Sequence, residues 1–335
     1  MSDGPPFGPI VNGTQVVVFY EYRPNKDAGY AFMALFALAT VAHILYLIPL
    51  RAWSFIPFIL GGIAEVFGYY GRALSSDTPD KVGPWIQQNL LLLVAPPLLA
   101  ATVYMSLARI VIAIGARHNL LISPRLLTPL CVLIDVGCLA TQLIGAVLPA
   151  SGDPSAIELS KLIILGGLIA QIAALSTFLL IAWHTQRRIS RDPPRILTVD
   201  RSVNWKNHFR AIYLIIVLIA IRSSIRTIEY VQGEGGFVIS HEAFIYTLDA
   251  TPMWLVMMIY VALHPGRLIR HGQRLTMVTF TRDKETVIDL PKIEHAQAFT
   301  ELPNLIEGKS VSLAPPDAGL ACNALVSDPG AVMLL

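Results

Sequence analysis

Charged residues are scarce in this sequence: they make up 14% of its 335 residues, whereas apolar residues make up 54%. That balance is unusual for a soluble domain and typical of a chain whose solvent is a lipid bilayer. The net charge of +2 is small, and the basic residues fall in loops without interleaved aromatic residues. We therefore expect no nucleic-acid partner.

Cysteine is also rare. Cys131 and Cys138 lie inside an apolar run and Cys322 lies near the C-terminus, so no soluble loop offers a pair for a disulfide bond. The first residues, MSDGPPFGPIVNGTQ, have neither the basic leader nor the early apolar core of a cleaved signal peptide. We expect the first spanning helix to direct membrane insertion.

Motifs for nucleotide and metal chemistry are missing. The sequence has no GxxxxGK[ST] phosphate loop, which argues against ATP hydrolysis by this chain, and no HExxH or His-x3-His pattern. His43 and His264 lie within or at the ends of different apolar runs, where hydrogen-bonded structural histidines are the simpler interpretation. A seven-span zinc hydrolase would need more ligands at one depth. We expect no enzyme activity, no cofactor and no metal.

Apolar runs long enough to cross about 30 Å of hydrocarbon, about 20 residues each, recur along the chain. Backbone amides inside such runs must bond internally, which predicts helices. The sequence predicts an all-α, seven-helix membrane bundle. Its spans are 28–50, 52–74, 86–112, 126–148, 161–183, 211–230 and 242–264.

Lysine and arginine predict the orientation, because short loops rich in them stay in the cytoplasm. One set of loops and span ends carries most of the basic residues, including seven between 187 and 210, whereas the opposite set holds Arg23, Lys26, Lys81 and Lys161. We expect an extracellular N-terminal segment (1–27), a transmembrane domain (28–264) and a cytoplasmic, largely disordered tail (265–335). Asn12, in the NGT sequon, falls on the predicted outer side as a glycosylation site.

Ionisable residues inside the spans follow helical spacing and share faces. The sixth span aligns Arg222, Arg226 and Glu229, the second Glu65, Gly68, Tyr69 and Arg72, and the seventh Glu242, Tyr246, Asp249 and Met253. Further polar residues are Gln88 in the third span, Asp135 and Gln142 in the fourth, and Gln171 in the fifth.

A central charge costs about 3 kcal/mol on insertion scales, so these residues are expected to face the bundle interior. The charges of the second span could pair with those of the sixth, and a polar cavity open toward the outer side is expected. Arg222 and Arg226 could neutralise Glu65, Asp249 or Glu229, or they could hold an anionic headgroup. One interpretation is that the residues only hold helices together. The other is that they bind a substrate, and spacing does not choose between them. Pro96 and Pro97 predict a kink or local unwinding in the third span.

Several segments together resemble the RTA1-like family of fungal seven-span membrane proteins, also called lipid-translocating exporters. The resemblance covers roughly residues 20–270. It rests on YRPN, EVFGYYGR, QNLLLLVAPPLLAATVYM, DVGCLATQLIG, GGLIAQIAAL, RSSIRTIEYVQG, and HEAFIYTLDATPM with HPG.

The resemblance implies functional positions and a role. Besides the polar residues named above, the family pattern falls on Gly68, Pro96, Tyr104, Gly145, Gly233, His264 and Pro265. It implies an integral protein, often of the plasma membrane, linked with export of sphingoid bases, resistance to toxic sterols and other drugs, and in some members porphyrin traffic. Membrane lipids or amphiphilic small molecules are the implied partners.

Two functional hypotheses stay open. The first is a translocator of lipids and amphiphiles whose headgroup enters the polar cavity. The second is a seven-span lipid-responsive receptor or sensor without transport. The rhodopsin-type hallmarks are missing, since SLARIVIAIG ends the third span without an acidic-Arg-aromatic triplet. That absence weakens only one receptor class.

Overall fold

The structure is a computed structural model that describes residues 7–11, 14–17, 24–77, 81–147, 154–194, 197, 204–232, 236–237 and 241–275. All of them belong to one compact unit, Met1–Phe280, and the second unit, Thr281–Leu335, lies outside them. The sequon residue Asn12, the family position Gly233 and the predicted disordered part of the tail also lie outside the described residues.

Within the described ranges, seven helices are long and apolar enough to span a bilayer, which confirms the predicted fold class. A short antiparallel hairpin, β1 (Phe7–Val11) and β2 (Thr14–Val17), precedes them. The first six helices are α1 Lys26–Leu50, α2 Ile56–Asp77, α3 Val82–Ala113, α4 Pro124–Val147, α5 Pro154–Arg191 and α6 Trp205–Gln232.

The seventh helix, α7, changes its winding along its length. It consists of an α-helical turn Glu242–Phe244, a π-helical stretch Ile245–Ala250 and an α-helix Thr251–Ala262. The chain breaks at residues 263 and 264 and is helical again over 265–275. Helical structure therefore continues beyond the predicted end of the seventh span at residue 264.

Both ends of α1 are capped. The Asn25 side chain accepts hydrogen bonds from the backbone amides of Asp27 and Ala28, at 3.0 and 3.1 Å, which satisfies two donors of the first turn. At the other end Arg51 adopts the left-handed conformation, with φ 45° and ψ 41°. Helices that end this way usually have glycine at that position.

The helices close into a ring. Each helix packs against the next one in the chain, α7 returns to α1, and α3 also contacts α6. The most buried helices are α2 and α3, whereas large apolar side chains such as Leu38, Ile48 and Leu133 are exposed on the outer surface. A lipid-facing surface is the physical reason for such an apolar exterior.

A close contact between α4 and α5 depends on one of two adjacent glycines of α5, Gly166 and Gly167. A Cβ on Gly167 would lie 2.1 Å from Thr141 Oγ1 of α4, so only glycine fits there. A Cβ on Gly166 would meet no atom within 4 Å. The small-residue contact between α4 and α5 therefore involves Gly167 and not its neighbour.

Candidate functional site

An ionic cluster joins α6 to α7 and α2. Its members are Glu65, Arg222, Arg226, Glu229 and Asp249. The Asp249 carboxylate pairs with both arginines, with Oδ1 2.5 Å from Arg222 Nε and Oδ2 2.7 Å from Arg226 Nη2. Arg226 Nη1 also pairs with Glu229 Oε2 at 3.2 Å. One carboxylate of α7 thus bridges two arginines that stand one turn apart on α6.

A proline of α3 creates a second acceptor for the cluster. Pro96 has no amide hydrogen, so the Leu92 carbonyl, four residues earlier, loses its helical donor. Arg222 Nη2 donates a hydrogen bond to that carbonyl at 2.5 Å. The predicted unwinding at Pro96 and Pro97 is not observed, since α3 is one α-helix from Val82 to Ala113. Instead, the freed carbonyl anchors a buried guanidinium.

Glu65 is the buried acid of the cluster, with 1% of its surface exposed. It lies near enough to Arg222, Arg226 and Asp249 to interact electrostatically with all three. However, it takes part in no ion pair within the described ranges, and its Oε1 has no hydrogen-bond partner there. Of the three acids considered as partners of Arg222 and Arg226, the structure therefore pairs the arginines with Asp249 and Glu229 and not with Glu65.

Arg72 lies two helical turns beyond Glu65 and one turn beyond Gly68 on α2. It pairs with α7 rather than with α6. Arg72 Nη2 is 3.0 Å from Glu242 Oε1, and its Nε donates to the Tyr246 hydroxyl at 3.0 Å. The Tyr246 hydroxyl donates in turn to Glu242 Oε1 at 3.1 Å. The Asn25 amide also donates to Glu242, at 2.7 Å. This Arg72 group ties α2, α7 and the start of α1 together.

The π-helical stretch of α7 contains Tyr246 of the Arg72 group and Asp249 of the ionic cluster. Its wider winding is visible at Thr251, whose amide donates to the carbonyl of Tyr246, five residues earlier. The Thr251 hydroxyl donates to the same carbonyl at 2.8 Å. Pro252 follows directly and lacks the amide that would continue α-helical bonding to residue 248. Single π-turns of this kind often occur at functional sites.

Aromatic rings line the same end of the bundle. Tyr69 stacks on Phe36 with ring centroids 5.4 Å apart, and Phe32 stacks on Tyr246 at 5.2 Å. The Tyr69 hydroxyl has no hydrogen-bond partner among the described residues. Gln88 is buried where α3 passes Gly71 of α2. These residues surround the ionic cluster and the Arg72 group with rigid apolar faces.

Asp135 and the pair Gln142 and Gln171 are buried polar residues of α4 and α5, and none of them forms an ion pair or hydrogen bond with the ionic cluster in the described ranges. Gln142 of α4 donates to Gln171 of α5 at 3.2 Å. Asp135 is buried, and neither of its oxygens has a hydrogen-bond partner of normal geometry within the part of the chain that the structure describes. The Tyr104 hydroxyl of α3 faces it. The shared helical faces therefore predicted the interior position of these residues, but not their separation from the ionic cluster.

The expected polar cavity does not coincide with either of two cavities that the described residues form at other places. Neither of these two cavities has a member of the ionic cluster in its wall. Exposure instead rises outward from Glu65 to a rim, where the side chains of Glu229 and Glu242 are 26% and 22% exposed. The structure thus shows a paired, closed network with a partly accessible edge.

His43 and His264 lie at the end of the bundle opposite to the ionic cluster. Both are buried, with ring centroids 6.1 Å apart. His43 Nε2 is 3.1 Å from the Met257 carbonyl, and the Gly266 amide donates to His264 Nδ1 at 3.1 Å. These backbone contacts agree with a structural role for both rings.

Comparison with known proteins identifies one matching family and several yeast relatives. The family described as RTA1 like protein matches residues 58–272. Protoporphyrin uptake protein 1 of Saccharomyces cerevisiae is 32% identical over 278 residues, which is 72% of this chain and 90% of the relative. Protein RTA1 of the same yeast is 31% identical, covering 73% of this chain and 84% of its own.

A further yeast relative carries a more specific name. The sphingoid long-chain base transporter RSB1 of Saccharomyces cerevisiae is 26% identical over 275 residues, which is 72% of each chain. No solved structure matches the chain.

Proposed function

Because the chain belongs to the RTA1-like family, we propose that it moves amphiphiles such as sphingoid bases and sterol-like toxic compounds across the membrane in which its seven helices lie. This activity would contribute to lipid export and to drug or stress resistance, and we propose the plasma membrane as its location. The names of two relatives, an uptake protein and a long-chain base transporter, support transport over catalysis.

The ionic cluster is the observation on which the proposal depends. Isolated charges at this depth are costly, so the cluster needs a reason beyond apolar packing. It holds three carboxyl groups, of Glu65, Glu229 and Asp249, against two guanidinium groups, of Arg222 and Arg226. The additional acid suits a ligand with a cationic amino headgroup better than an anionic one.

Substrate entry requires the closed network to exchange partners. The partly exposed rim at Glu229 is the accessible side, and Arg226 connects it to the buried Asp249. An ammonium headgroup arriving at the rim can replace Arg226 as partner of a carboxylate, while Arg222 keeps its bond to the Leu92 carbonyl. Glu65, which has no ion pair of its own in the described residues, is the next acceptor inward.

The Asp135 group offers a second polar position along the bundle. Its buried carboxyl group lies between α3 and α4 and has no cationic partner among the described residues. A carboxylate so placed must be protonated or meet a cation. We propose Asp135, with Gln142 and Gln171, as a second polar contact for a headgroup or for a coupling proton.

Reconstitution tests this function. The purified full chain is inserted into phosphatidylcholine vesicles that carry a fluorescent sphingoid base, a fluorescent phospholipid or a fluorescent sterol, and leaflet exchange is followed by chemical quenching from outside. We expect the sphingoid base to exchange fastest. Glu65→Gln should lower that rate by about tenfold or more, since a charge-assisted contact is worth about 1.5–3 kcal/mol.

A matched acid provides the control. Glu158 of α5 is exposed, so Glu158→Gln removes the same charge away from the cluster and should leave the exchange rate unchanged. If well-inserted Glu65→Gln and Asp249→Asn variants exchanged the sphingoid base as fast as the unmodified chain, the roles assigned to these residues would be wrong. Binding of the sphingoid base without exchange would favour the lipid-responsive receptor or sensor, a function that also suits the closed network.

A further inference from the structure

A second charged region lies at the end of the bundle opposite to the ionic cluster. There α1 ends, α2 begins, and α3 and the helical stretch 265–275 end. A cavity of about 280 Å³ opens between them. Its wall includes Arg51, Ser54, Arg109, Gly266, Arg270 and Gln273. This is the end that the distribution of lysine and arginine predicts to be cytoplasmic.

The wall of this cavity carries charge of one sign. Arg51, Arg109 and Arg270 contribute three guanidinium groups, and no wall residue among those the structure describes is acidic. Arg270 is held in place by a hydrogen bond to the Pro49 carbonyl. Neither Arg51 nor Arg109 forms an ion pair or side-chain hydrogen bond with the rest of the described chain. Three arginines in the wall of one cavity suit a multiply charged oxyanion, since guanidinium groups bind phosphate oxygens through charge-assisted hydrogen bonds.

Arg51 also has a backbone conformation that its residue type disfavours. Its φ of 45° places it in the left-handed region, which costs a non-glycine residue about 1–2 kcal/mol. Glycine would end α1 without that cost. An arginine kept at such a position points to a use for its charge at the cavity.

The surroundings of the cavity indicate where its ligand comes from. Trp53 and Ile56, beside the wall residues Ser54 and Phe55, are 62% and 43% exposed. Large apolar side chains next to a basic pocket at the end of spanning helices are typical of sites for phospholipid headgroups, whose acyl chains remain in the bilayer. Soluble phosphate would use the guanidinium groups but not these apolar side chains.

We propose that this cavity binds a phosphate group, with a phosphomonoester lipid of the predicted inner leaflet and inorganic phosphate as its two possible sources. The guanidinium groups hold the phosphate oxygens, and Ser54 and Gln273 supply further polar contacts in the wall. This site lies at the opposite end from the residues assigned to translocation and does not depend on that assignment.

Native mass spectrometry of the full chain tests the site. Protein from phosphatidylcholine nanodiscs is titrated with short-chain phosphatidic acid in one arm and with inorganic phosphate in the other. The cavity variant combines Arg51→Asn, which tolerates the left-handed conformation, with Arg109→Gln. We expect it to bind phosphatidic acid about tenfold more weakly or worse than the unmodified chain, since it loses two charge-assisted contacts.

A second double variant controls for net charge. Arg117→Gln with Arg125→Gln removes two exposed arginines from the same end of the bundle, outside the cavity wall, and should keep the affinity of the unmodified chain. The site is supported if the unmodified chain retains either probe and only the cavity variant loses it. The probe that is retained, phosphatidic acid or inorganic phosphate, identifies the source. Equal loss in both double variants, or retention of neither probe by the unmodified chain, overturns the proposal.

Discussion

Asp249 of α7 lies 2.5 Å from Arg222 of α6, and the same carboxylate reaches Arg226 at 2.7 Å. Among the described residues, Arg222 has this acid as its ion-pair partner, whereas Arg226 also pairs with Glu229. Because the Asp249 and Arg222 side chains are 7% and 5% exposed, water can replace neither partner. Removal of the acid leaves the buried Arg222 without its ion-pair partner and Arg226 with Glu229 alone.

We expect Asp249→Asn to lower the free energy of unfolding by about 3–5 kcal/mol, the typical cost of breaking a buried ion pair from one side. The midpoint of thermal unfolding in detergent measures the loss. Asp249→Asn combined with Arg226→Gln removes one charge of each sign and should recover part of it. A double variant as unstable as Asp249→Asn alone would show that charge balance is not the cause.

The two adjacent prolines of α3 are expected to differ in effect. Pro96→Ala restores an amide that competes with Arg222 for the Leu92 carbonyl, so we expect slower sphingoid-base exchange in vesicles. Pro97→Ala restores the donor to the carbonyl of residue 93 instead and is the matched control. Equal exchange rates in both variants would contradict the proposed anchoring of Arg222.

The glycines of α5 provide a comparison of neighbours. Gly167→Ala places a Cβ against Thr141 Oγ1 and should destabilise the protein by about 1–3 kcal/mol through overpacking. Gly166→Ala meets open space and should be neutral or stabilising, by up to about 1 kcal/mol, through its higher helix propensity. Thermal unfolding in detergent compares the two. Similar destabilisation by both would argue against the close contact of α4 with α5 at Gly167.

Removal of the Tyr246 hydroxyl is expected to weaken the Arg72 group but to leave the ion pair of Arg72 with Glu242 in place. Tyr246→Phe keeps the ring that stacks on Phe32 but removes the bonds to Arg72 and Glu242. We expect a loss of about 1–3 kcal/mol in the free energy of unfolding. Tyr70→Phe, on the more exposed neighbouring face of α2, is the control and should change the unfolding midpoint little.

Glycosylation tests the predicted orientation. If the N-terminus faces the outside, Asn12 is accessible to the glycosylation machinery of a eukaryotic host. We expect an endoglycosidase to increase the electrophoretic mobility of the unmodified chain and not that of Asn12→Gln. The contrary result is that the endoglycosidase leaves the mobility of the unmodified chain and of Asn12→Gln unchanged. Together with labelling of an N-terminal tag only after permeabilisation, that result would reverse the predicted topology.

The sequence predicted the spans and the interior position of the charges because hydropathy and helical spacing act locally. The alignment of Arg222, Arg226 and Glu229 on one face needed only the geometry of one helix. Partner choice depends on how neighbouring helices are placed along one another, which no local pattern contains. For that reason Arg72 was expected to pair with the sixth span, whereas it binds Glu242 of the seventh.

Two features were missed although the residues responsible were visible. Pro96 leaves the Leu92 carbonyl without its helical donor, and a buried arginine elsewhere in the chain was a ready candidate for it. The π-helical stretch precedes Pro252, but its extent depends on packing around α7. The separation of Asp135 from the ionic cluster follows from the position of α4 in the ring, where it packs chiefly on α3 and α5.

The central position of α3 has a mechanical consequence. Through Leu92 it holds Arg222 near one end of the bundle, and through Arg109 it contributes to the basic cavity near the other. These two residues are separated by about 26 Å along the axis, at 1.5 Å of rise per residue. A sliding or tilting of α3 would therefore displace Leu92 and Arg109 together, so that occupancy of the basic cavity would be coupled to the position of the Arg222 anchor.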